Sequence, residues 1–172
     1  FLDKELIPVN DLPKSERPIN QKWSWDRILR SCYIKQADVL QGMFLFENRF
    51  SKDELTRHFD FYEPITVHES SLSPCVHSIL AASIDRMPKA YEQYLRTARL
   101  DLDDYNHEVH EGCHITSMAG TWMSVVQGFG GMRVWEDGIL NFKPQIPSEW
   151  KSYSFTINFR NNILKVYISK AA

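Results

Sequence analysis

The chain has 172 residues, 43% of them hydrophobic, which is enough to bury one full-sized core or two small ones. Its 20 basic and 22 acidic side chains leave a formal net charge of -2, a balance that gives no electrostatic footprint for nucleic acid. No apolar run approaches the roughly 20 residues that a membrane-spanning helix needs. We therefore expect neither nucleic acid nor a membrane as a partner.

The cysteines indicate the compartment. There are three of them, an odd number at wide spacing, and they do not form the pattern of a disulfide framework: Cys32, Cys75 and Cys113. A reducing, cytoplasmic setting is therefore predicted. No signal-peptide pattern is visible, and the chain begins with Phe1 rather than Met, which suggests a piece of a longer protein.

The first half of the chain has a mainly helical pattern. Residues 1–20 contain three prolines and little periodicity, so we expect an extended lead-in. The stretch VLQGMFLFENRF then places apolar residues at helical spacing, which predicts one buried helix face: Val39, Leu40, Met43, Phe44 and Phe46. Ser51 and Glu54 in SKDE form the pattern of a capping box, which predicts the start of the next helix.

Two proline-led starts follow. Ser73 before Pro74 predicts a capped helix with proline in its first turn, and Pro88 predicts a second start of the same kind. After Pro88 an apolar stripe is expected from Tyr91, Tyr94, Leu95 and Ala98. The last helix is predicted from about Thr116 to Gly128, ending at the pair Gly130 and Gly131.

The pattern changes near residue 131. Beyond it apolar residues alternate with period two, and turn residues stand at Asp137-Gly138 and Asn161-Asn162. Six apolar side chains should share the faces of two neighbouring strands: Phe155, Ile157, Phe159, Leu164, Val166 and Ile168. The fold class predicted is mainly α with a C-terminal antiparallel β layer, divided into residues 1–131 and 132–172.

The stretch EVHEGCHITSMAGTW concentrates polar chemistry at the predicted start of the last helix. His107, His110, Cys113 and His114 offer zinc ligands, but their spacing fits no standard zinc finger, so no metal is predicted. If the helix begins near Thr116, its free amides and dipole favour an anion. The hydroxyls of Thr116 and Ser117 and the His114 imidazole would add donors, and Gly120 would keep the approach open. A plain N-cap explains the same residues.

Two further polar groups lie just before helices. His68 and Glu69, in TVHESSLSPCVHS, place an imidazole and a carboxylate on a helical rim, suited to proton transfer or to a hydroxyl-rich ligand. The alternative makes Ser73 a cap and leaves both residues on the surface. Lys35 and Gln36 pair a cation with an amide, a combination common around sugar hydroxyls, although a solvated helix start explains them equally well.

Three stretches carry a resemblance to a known family: EPITVHESSLSPCVHSILAA, YEQYLRTARLDLDDYN and GCHITSMAGTWMSVVQGFGGMRV. They resemble the C-terminal third of glycoside hydrolase family 65, and the similarity runs from about Trp25 to the end. The resemblance implies the last helices of an (α/α)6 barrel, followed by a small β-sandwich-like domain. It also implies cleavage of an α-glucoside with inversion, in most members with inorganic phosphate as co-substrate and with no cofactor.

The resemblance assigns roles to residues of this chain. It implies that Lys35 and Gln36 bind the sugar and that His114, Thr116 and Ser117 belong to a phosphate pocket, with His68 beside them. Glu69 is the candidate for the glutamate that activates water in hydrolytic relatives; in a phosphorylase it would help to shape the pocket.

One part of the family pattern is missing. The general acid of the family is a glutamate in a Gly-Pro-Asn-Glu-Tyr-His-like segment well upstream, and this chain contains no such segment. Inverting chemistry needs a proton donor for the leaving oxygen, so the chain by itself is expected to be inactive. The leading hypothesis is the C-terminal part of an inverting disaccharide phosphorylase that releases glucose 1-phosphate and glucose. The alternatives are an α-glucosidase of the same family and a non-catalytic carbohydrate-binding domain. The linkage and the oligomeric state stay open, with a homodimer as one option.

Overall fold

A computed structural model of the protein describes residues 7–105 and 107–170. The helices in this part of the chain are α1 (Ile19–Lys22), α2 (Trp25–Leu29), α3 (Asp38–Leu45), α4 (Lys52–Tyr62), α5 (Ser73–Ser83), α6 (Met87–Ala98), α7 (Leu100–Asp103) and α8 (Ile115–Met123). The strands are β1 (Arg133–Val134), β2 (Leu140–Asn141), β3 (Ser152–Phe159) and β4 (Asn162–Ser169). Mainly helical structure followed by small antiparallel sheets confirms the predicted fold class. Of the helices described, none has the length and apolar character to cross a membrane.

The described part of the lead-in is folded, where an extended segment was expected. Residues 7–22 form two short 3-10 turns and α1, and the Val9 amide donates a hydrogen bond to the Pro64 carbonyl. Leu12 and Ile19 are buried. The extended prediction is wrong here because isolated apolar residues without periodicity can still pack on a helical surface formed elsewhere. Residues 1–6 lie outside the described part of the chain.

Helix α5 is the centre of the core. Its residues from Ser73 to Ala82 are all buried, and α3, α4, α6 and α8 pack around it. Apart from His77, these residues are apolar or small, because no side of this stretch meets water. The apolar residues Val76, Ile79 and Leu80 supply much of the core, and the hydroxyl of Ser78 donates to the Ala90 carbonyl of α6.

The predicted start of α4 is confirmed, and the predicted cap of α5 is not. Ser51 and Glu54 form the expected capping box of α4. At α5 the N-cap is Leu72, and the Ser73 hydroxyl bonds instead to Nδ1 of His68 at 2.8 Å. The prediction that Ser73 caps this helix is therefore wrong, because a neighbouring buried imidazole takes its hydroxyl.

Two of the predicted apolar faces are shifted. In α3 the buried side chains are Leu40 and Met43, whereas Phe46 lies past the helix end and is 52% exposed. In α6 the buried residues are Ala90, Gln93 and Thr97, and the predicted stripe of Tyr91, Tyr94, Leu95 and Ala98 is only half-buried. Gln93 and Thr97 are buried because α6 packs closely on α5 and α8, and the Thr97 hydroxyl donates to the Gln93 carbonyl of the same helix.

Helix α8 starts at Ile115 and continues through a π turn over Ser124–Phe129. Gly120 faces α5: a Cβ atom there would lie 2.8 Å from the Cys75 Cβ and 3.2 Å from a Thr97 methyl. The expectation that Gly120 keeps the approach to an anion open is wrong. Its lack of a side chain instead allows α8 to pack against α5 and α6.

The C-terminal residues form two antiparallel pairs, β1 with β2 and β3 with β4. Ile157 stands opposite Leu164 and Phe155 opposite Val166, so the predicted apolar side chains share one face. The tight turn between β3 and β4 has positive φ angles at Arg160 and Asn161, and Asn162 already belongs to β4. The predicted turn was therefore one residue too late.

An aromatic cluster joins this hairpin to the helices. We call it the aromatic junction; its members are Tyr91, Tyr94, Phe129, Trp150 and Tyr153. The Trp150 ring contacts the other four edge to face, at centroid distances between 5.2 and 5.9 Å. Such pairs stabilise beyond the area they bury. Nearby, an ion pair from Arg133 to Glu47 at 2.7 Å ties β1 to the helical part.

Candidate functional site

Three segments that lie far apart in sequence meet at one edge of the helical part. They are the residues before α3 (34–37), the residues before α5 (65–72), and the residues that lead into α8 together with its first turn (107–117). The Val67 amide donates to the Ile34 carbonyl at 2.9 Å, and the Glu69 amide donates to the Lys35 carbonyl at 3.2 Å. The hydroxyls of Ser71 and Thr116 lie 2.8 Å apart. We call this region the loop edge.

The Glu69 carboxylate lies in a cavity of about 340 Å³ beside the loop edge. The backbone amide of Asn20 in α1 donates to its Oε2 at 3.1 Å. Burial raises the pKa of Glu69, against the lowering effects of this hydrogen bond and of the Lys35 charge. Arg96 and Glu108 line the same cavity. The geometry therefore provides a carboxylate with partial access to a cavity that can hold a small polar ligand.

Lys35 and Gln36 lie next to Glu69 through the backbone pairing described above. Lys35 is exposed, and its positive charge acts on the Glu69 carboxylate. The Gln36 amide donates to an Asp38 carboxylate oxygen at 3.0 Å, and this bond fixes its orientation at the start of α3. The structure thus brings together three of the residues that the sequence singled out.

His114 is the N-cap residue of α8, and its side chain makes no capping bond to the helix. Its backbone amide donates to Asp101 at 2.9 Å, and its Nδ1 pairs with the other Asp101 oxygen. Nε2 lies 3.8 Å from a carboxylate oxygen of Glu108, which reaches the cavity that holds Glu69. These hydrogen bonds from His114 lower the pKa of Asp101. The imidazole is therefore held in a fixed orientation at the loop edge.

The two hydroxyl residues in the first turn of α8 differ in environment. Thr116 is exposed and shares a hydrogen bond with Ser71. Ser117 is buried, and its hydroxyl donates to the Thr97 carbonyl of α6 at 2.7 Å. Both lie inside the first turn, so neither is the N-cap. Since the Ser117 proton is used within the core, Thr116 is the better placed of the two to donate to an anion.

His68 lies in the left-handed region, with φ at 55°, and its ring is buried. Its Nδ1 bonds to Ser73, and its ring meets the His77 ring at a centroid distance of 4.4 Å. Its carbonyl accepts a hydrogen bond from Arg96 at 3.3 Å. Adjacent residues 68 and 69 thus differ in direction: His68 enters the core, while Glu69 lines the cavity.

The cluster of histidines and Cys113 read from the sequence does not converge. The side chains of His107 and His110 are 80% and 76% exposed, and His114 is paired with Asp101. In the described residues, the group close enough to share a metal ion is another one, made of Glu63, His68 and His77.

Sequence reasoning missed several residues of the site: Asn20, Ser71, Arg96, Asp101 and Glu108. Asn20 contributes a backbone amide, which no side-chain pattern reveals. Asp101 lies 13 residues before His114. Its pairing with an imidazole depends on how α7 and α8 fold together, and the sequence carries no local signal for it.

Comparison with known proteins defines the class. The sequence model of the glycosyl hydrolase family 65 central catalytic domain matches residues 1–123, and that of the glycosyl hydrolase family 65, C-terminal domain matches residues 132–172. The chain therefore belongs to glycosyl hydrolase family 65.

Individual relatives are phosphorylases. The chain is 58% identical to maltose phosphorylase from Bacillus subtilis (strain 168) and 48% identical to alpha,alpha-trehalose phosphorylase from Thermoanaerobacter brockii, over 99% of its length in both cases. It is 33% identical, over 98% of its length, to kojibiose phosphorylase from Halothermothrix orenii. The matched region is 22%, 22% and 21% of those proteins, so the chain spans about a fifth of their length.

A solved structure agrees with these relatives. A putative kojibiose phosphorylase from human microbiome superposes with a TM-score of 0.88 at 44% identity, covering 95% of this chain and 24% of that one. This match confirms the fold, because both the helical part and the C-terminal hairpins are included in the coverage.

Proposed function

We propose that this chain is the C-terminal part of an inverting disaccharide phosphorylase that cleaves maltose with inorganic phosphate. The observation that supports this most strongly is the meeting of Lys35, Glu69, His114 and Thr116 at the loop edge, beside a cavity of sugar size. The maltose preference rests on the 58% identity to a maltose phosphorylase. Inversion of an α-linkage would give β-glucose 1-phosphate and glucose.

The residues divide between two ligands. Lys35 and Gln36 are proposed to donate hydrogen bonds to sugar hydroxyls, because Lys35 is exposed and the Gln36 amide is fixed by Asp38. His114 and Thr116 are proposed to contact phosphate at the start of α8, where the helix dipole favours an anion. Ser117 and His68 would then act indirectly, because Ser117 holds α8 against α6 and His68 anchors the loop that carries Glu69.

Glu69 is proposed to shape the pocket in a phosphorylase. Phosphate is already anionic and needs little help from a base, whereas water would need one. The partly buried Glu69 carboxylate is therefore also what an α-glucosidase of this family would use, and hydrolysis is the second candidate function. We expect the proton donor for the leaving oxygen in the upstream part of the enzyme. That part would also complete the (α/α)6 barrel. The chain alone is therefore proposed to be inactive.

We also propose a compartment, substrates and an assembly for the parent enzyme. The three cysteines are free, which fits a reducing cytoplasm. Disaccharide and phosphate are the proposed substrates, and a homodimer is the proposed assembly.

The test uses the full-length protein with maltose, trehalose and kojibiose as separate substrates, with and without phosphate. We expect glucose 1-phosphate to form from maltose only when phosphate is present. Equal glucose release in phosphate-free buffer would show a hydrolase instead. The chain assayed alone should release no product.

Variants locate the sugar site in the same assay. Lys35→Ala and Gln36→Ala should each reduce kcat/KM for maltose by roughly 3- to 10-fold or more, since a hydrogen bond to a neutral hydroxyl contributes about 1 kcal/mol and one from a charged group contributes more. Lys151→Ala is the control, because Lys151 is exposed near the start of β3, far along the chain from the loop edge. Unchanged kinetics in both site variants would remove these residues from the site.

A further inference from the structure

Two buried imidazoles near the loop edge have ring nitrogens without a hydrogen-bond partner among the described residues. His77 in α5 is fully buried, and within residues 7–105 and 107–170 neither of its ring nitrogens has a partner; in the same part of the chain the Nε2 of the buried His68 is also unpaired. Leaving a buried polar atom unpaired costs free energy, so such groups call for a specific explanation. A bound ion would supply one.

We propose that Glu63, His68 and His77 form a binding site for a zinc ion. Glu63 follows the end of α4, His68 lies in the next loop and His77 lies within α5. Their ligand atoms lie within 4.8 Å of one another. Tetrahedral zinc with bonds of about 2.0–2.1 Å places its ligands about 3.4 Å apart, so side-chain movements on the order of 1 Å would close the site. Two imidazoles and one carboxylate are a common ligand set for zinc with an open fourth position.

The surroundings of His68 prepare it as a ligand. The Ser73 hydroxyl lies 2.8 Å from Nδ1, and this bond fixes the ring so that Nε2 is the available atom. Metal-binding histidines nearly always use their second nitrogen in this way. Burial holds the pKa values of both histidines below the ordinary value, so the rings are neutral at pH 7, which is the form that binds a metal.

There is room for a fourth ligand. A cavity of about 60 Å³ is lined by Glu63, His68, Gln93 and Arg96, among other residues. This volume holds a water molecule beside the ion. The Gln93 Oε1 atom is unpaired and could accept a hydrogen bond from that water.

Two cations oppose the ion and provide a way to test it. Lys89 Nζ lies 3.1 Å from a Glu63 carboxylate oxygen and also pairs with Glu92. The positive charges of Lys89 and Arg96 both act on His77. Zinc would compete with Lys89 for Glu63. Removing the Lys89 charge should therefore tighten binding, although Lys89 is not a ligand.

The experiment titrates Zn²⁺ into chelator-treated protein by calorimetry in a buffer that does not bind zinc. We expect one equivalent to bind. Glu63→Gln and His77→Gln should each weaken binding at least tenfold, and Lys89→Gln should tighten it severalfold. Glu63 and Lys89 are partly exposed, so these variants are expected to fold even if His77→Gln does not, and circular dichroism checks this.

The alternative is zinc binding by the exposed side chains of His107, His110 and Cys113. The triple variant His107→Gln, His110→Gln, Cys113→Ser tests it and should bind zinc as the parent does. Cobalt substitution should give a tetrahedral spectrum without the charge-transfer band of a thiolate. The proposal is overturned if the parent shows no saturable binding. It is also overturned if binding is lost in the triple variant and kept in Glu63→Gln.

Discussion

The loop edge and the aromatic junction stabilise the same helical core in different ways. At the aromatic junction, rings pack on one another, and its polar contact is the Tyr153 hydroxyl donating to the Gln145 carbonyl at 2.9 Å. At the loop edge, the buried His68 has an unpaired Nε2 among the described residues and a left-handed backbone. Proteins accept such departures from ideal packing where they bind or react, because a polar site cannot also be an optimal core. This difference supports the proposal that the loop edge is the functional side of this chain.

The largest expected effect is at the aromatic junction. Trp150→Ala removes a ring that contacts four others, and we expect the free energy of unfolding to fall by about 3 kcal/mol. Urea titration followed by circular dichroism measures it. Trp25→Ala is the matched control, because that ring is 73% exposed, and its effect should stay within about 0.5 kcal/mol. Equal effects would mean that the junction does not anchor the hairpin.

The next effect separates packing from anion approach at α8. Gly120→Ala would place a methyl group 2.8 Å from the Cys75 Cβ, so we expect a loss of about 1–3 kcal/mol from overpacking. Gly42→Ala in α3 meets nothing within 4 Å and should stabilise the protein by up to about 1 kcal/mol, since alanine favours helix. Thermal unfolding compares the two variants. If Gly120→Ala is also stabilising, then the close packing of α8 on α5 is wrong.

A smaller effect distinguishes the hydroxyls of Thr116 and Ser117 in α8. Ser117→Ala removes a buried hydrogen bond to the Thr97 carbonyl and should cost about 1 kcal/mol of stability. Thr116→Ala should change stability little, because its bond to Ser71 is exposed. In the full-length enzyme, Thr116→Ala should raise KM for phosphate more than KM for maltose. If only Ser117→Ala does so, then Ser117 is the phosphate contact.

The smallest effect is a pH dependence of the aromatic junction. Burial raises the pKa of Tyr153 to about 12, above its ordinary value of 10.0. The fold therefore favours the protonated phenol: its contribution is fully present below pH 10 and is lost as the pH rises toward 12. The phenylalanine of the Tyr153→Phe variant cannot ionise, so the stability of this variant should fall less between pH 10 and 12 than that of the parent. Urea titration at each pH measures both stabilities. Parallel curves would mean that the phenol is solvated.

Much of this fold could be predicted from local patterns. The capping box at Ser51, the alternation around Ile157 and the change of pattern near residue 131 each depend on neighbours in sequence. The burial of Gln93 and Thr97 could not be predicted, because it depends on how closely α6 packs against neighbouring helices that are distant in sequence. The same holds for Ser73, whose hydroxyl is taken by His68.

The sequence by itself determined most of the element types, the alternating faces of the two long strands and the candidate residues Lys35, Gln36, Glu69, His114 and Thr116. Periodicity, turn chemistry and family resemblance are all written along the chain. The tertiary structure decided which of these candidates meet, and it directed His68 and Ser117 into the core while leaving Glu69 at the cavity. It also brought Glu63, His68 and His77 together from a helix end, a loop and a helix interior. Hydrogen bonding and ion binding depend on distances of a few ångströms, and between distant segments those distances exist only once the helices have packed.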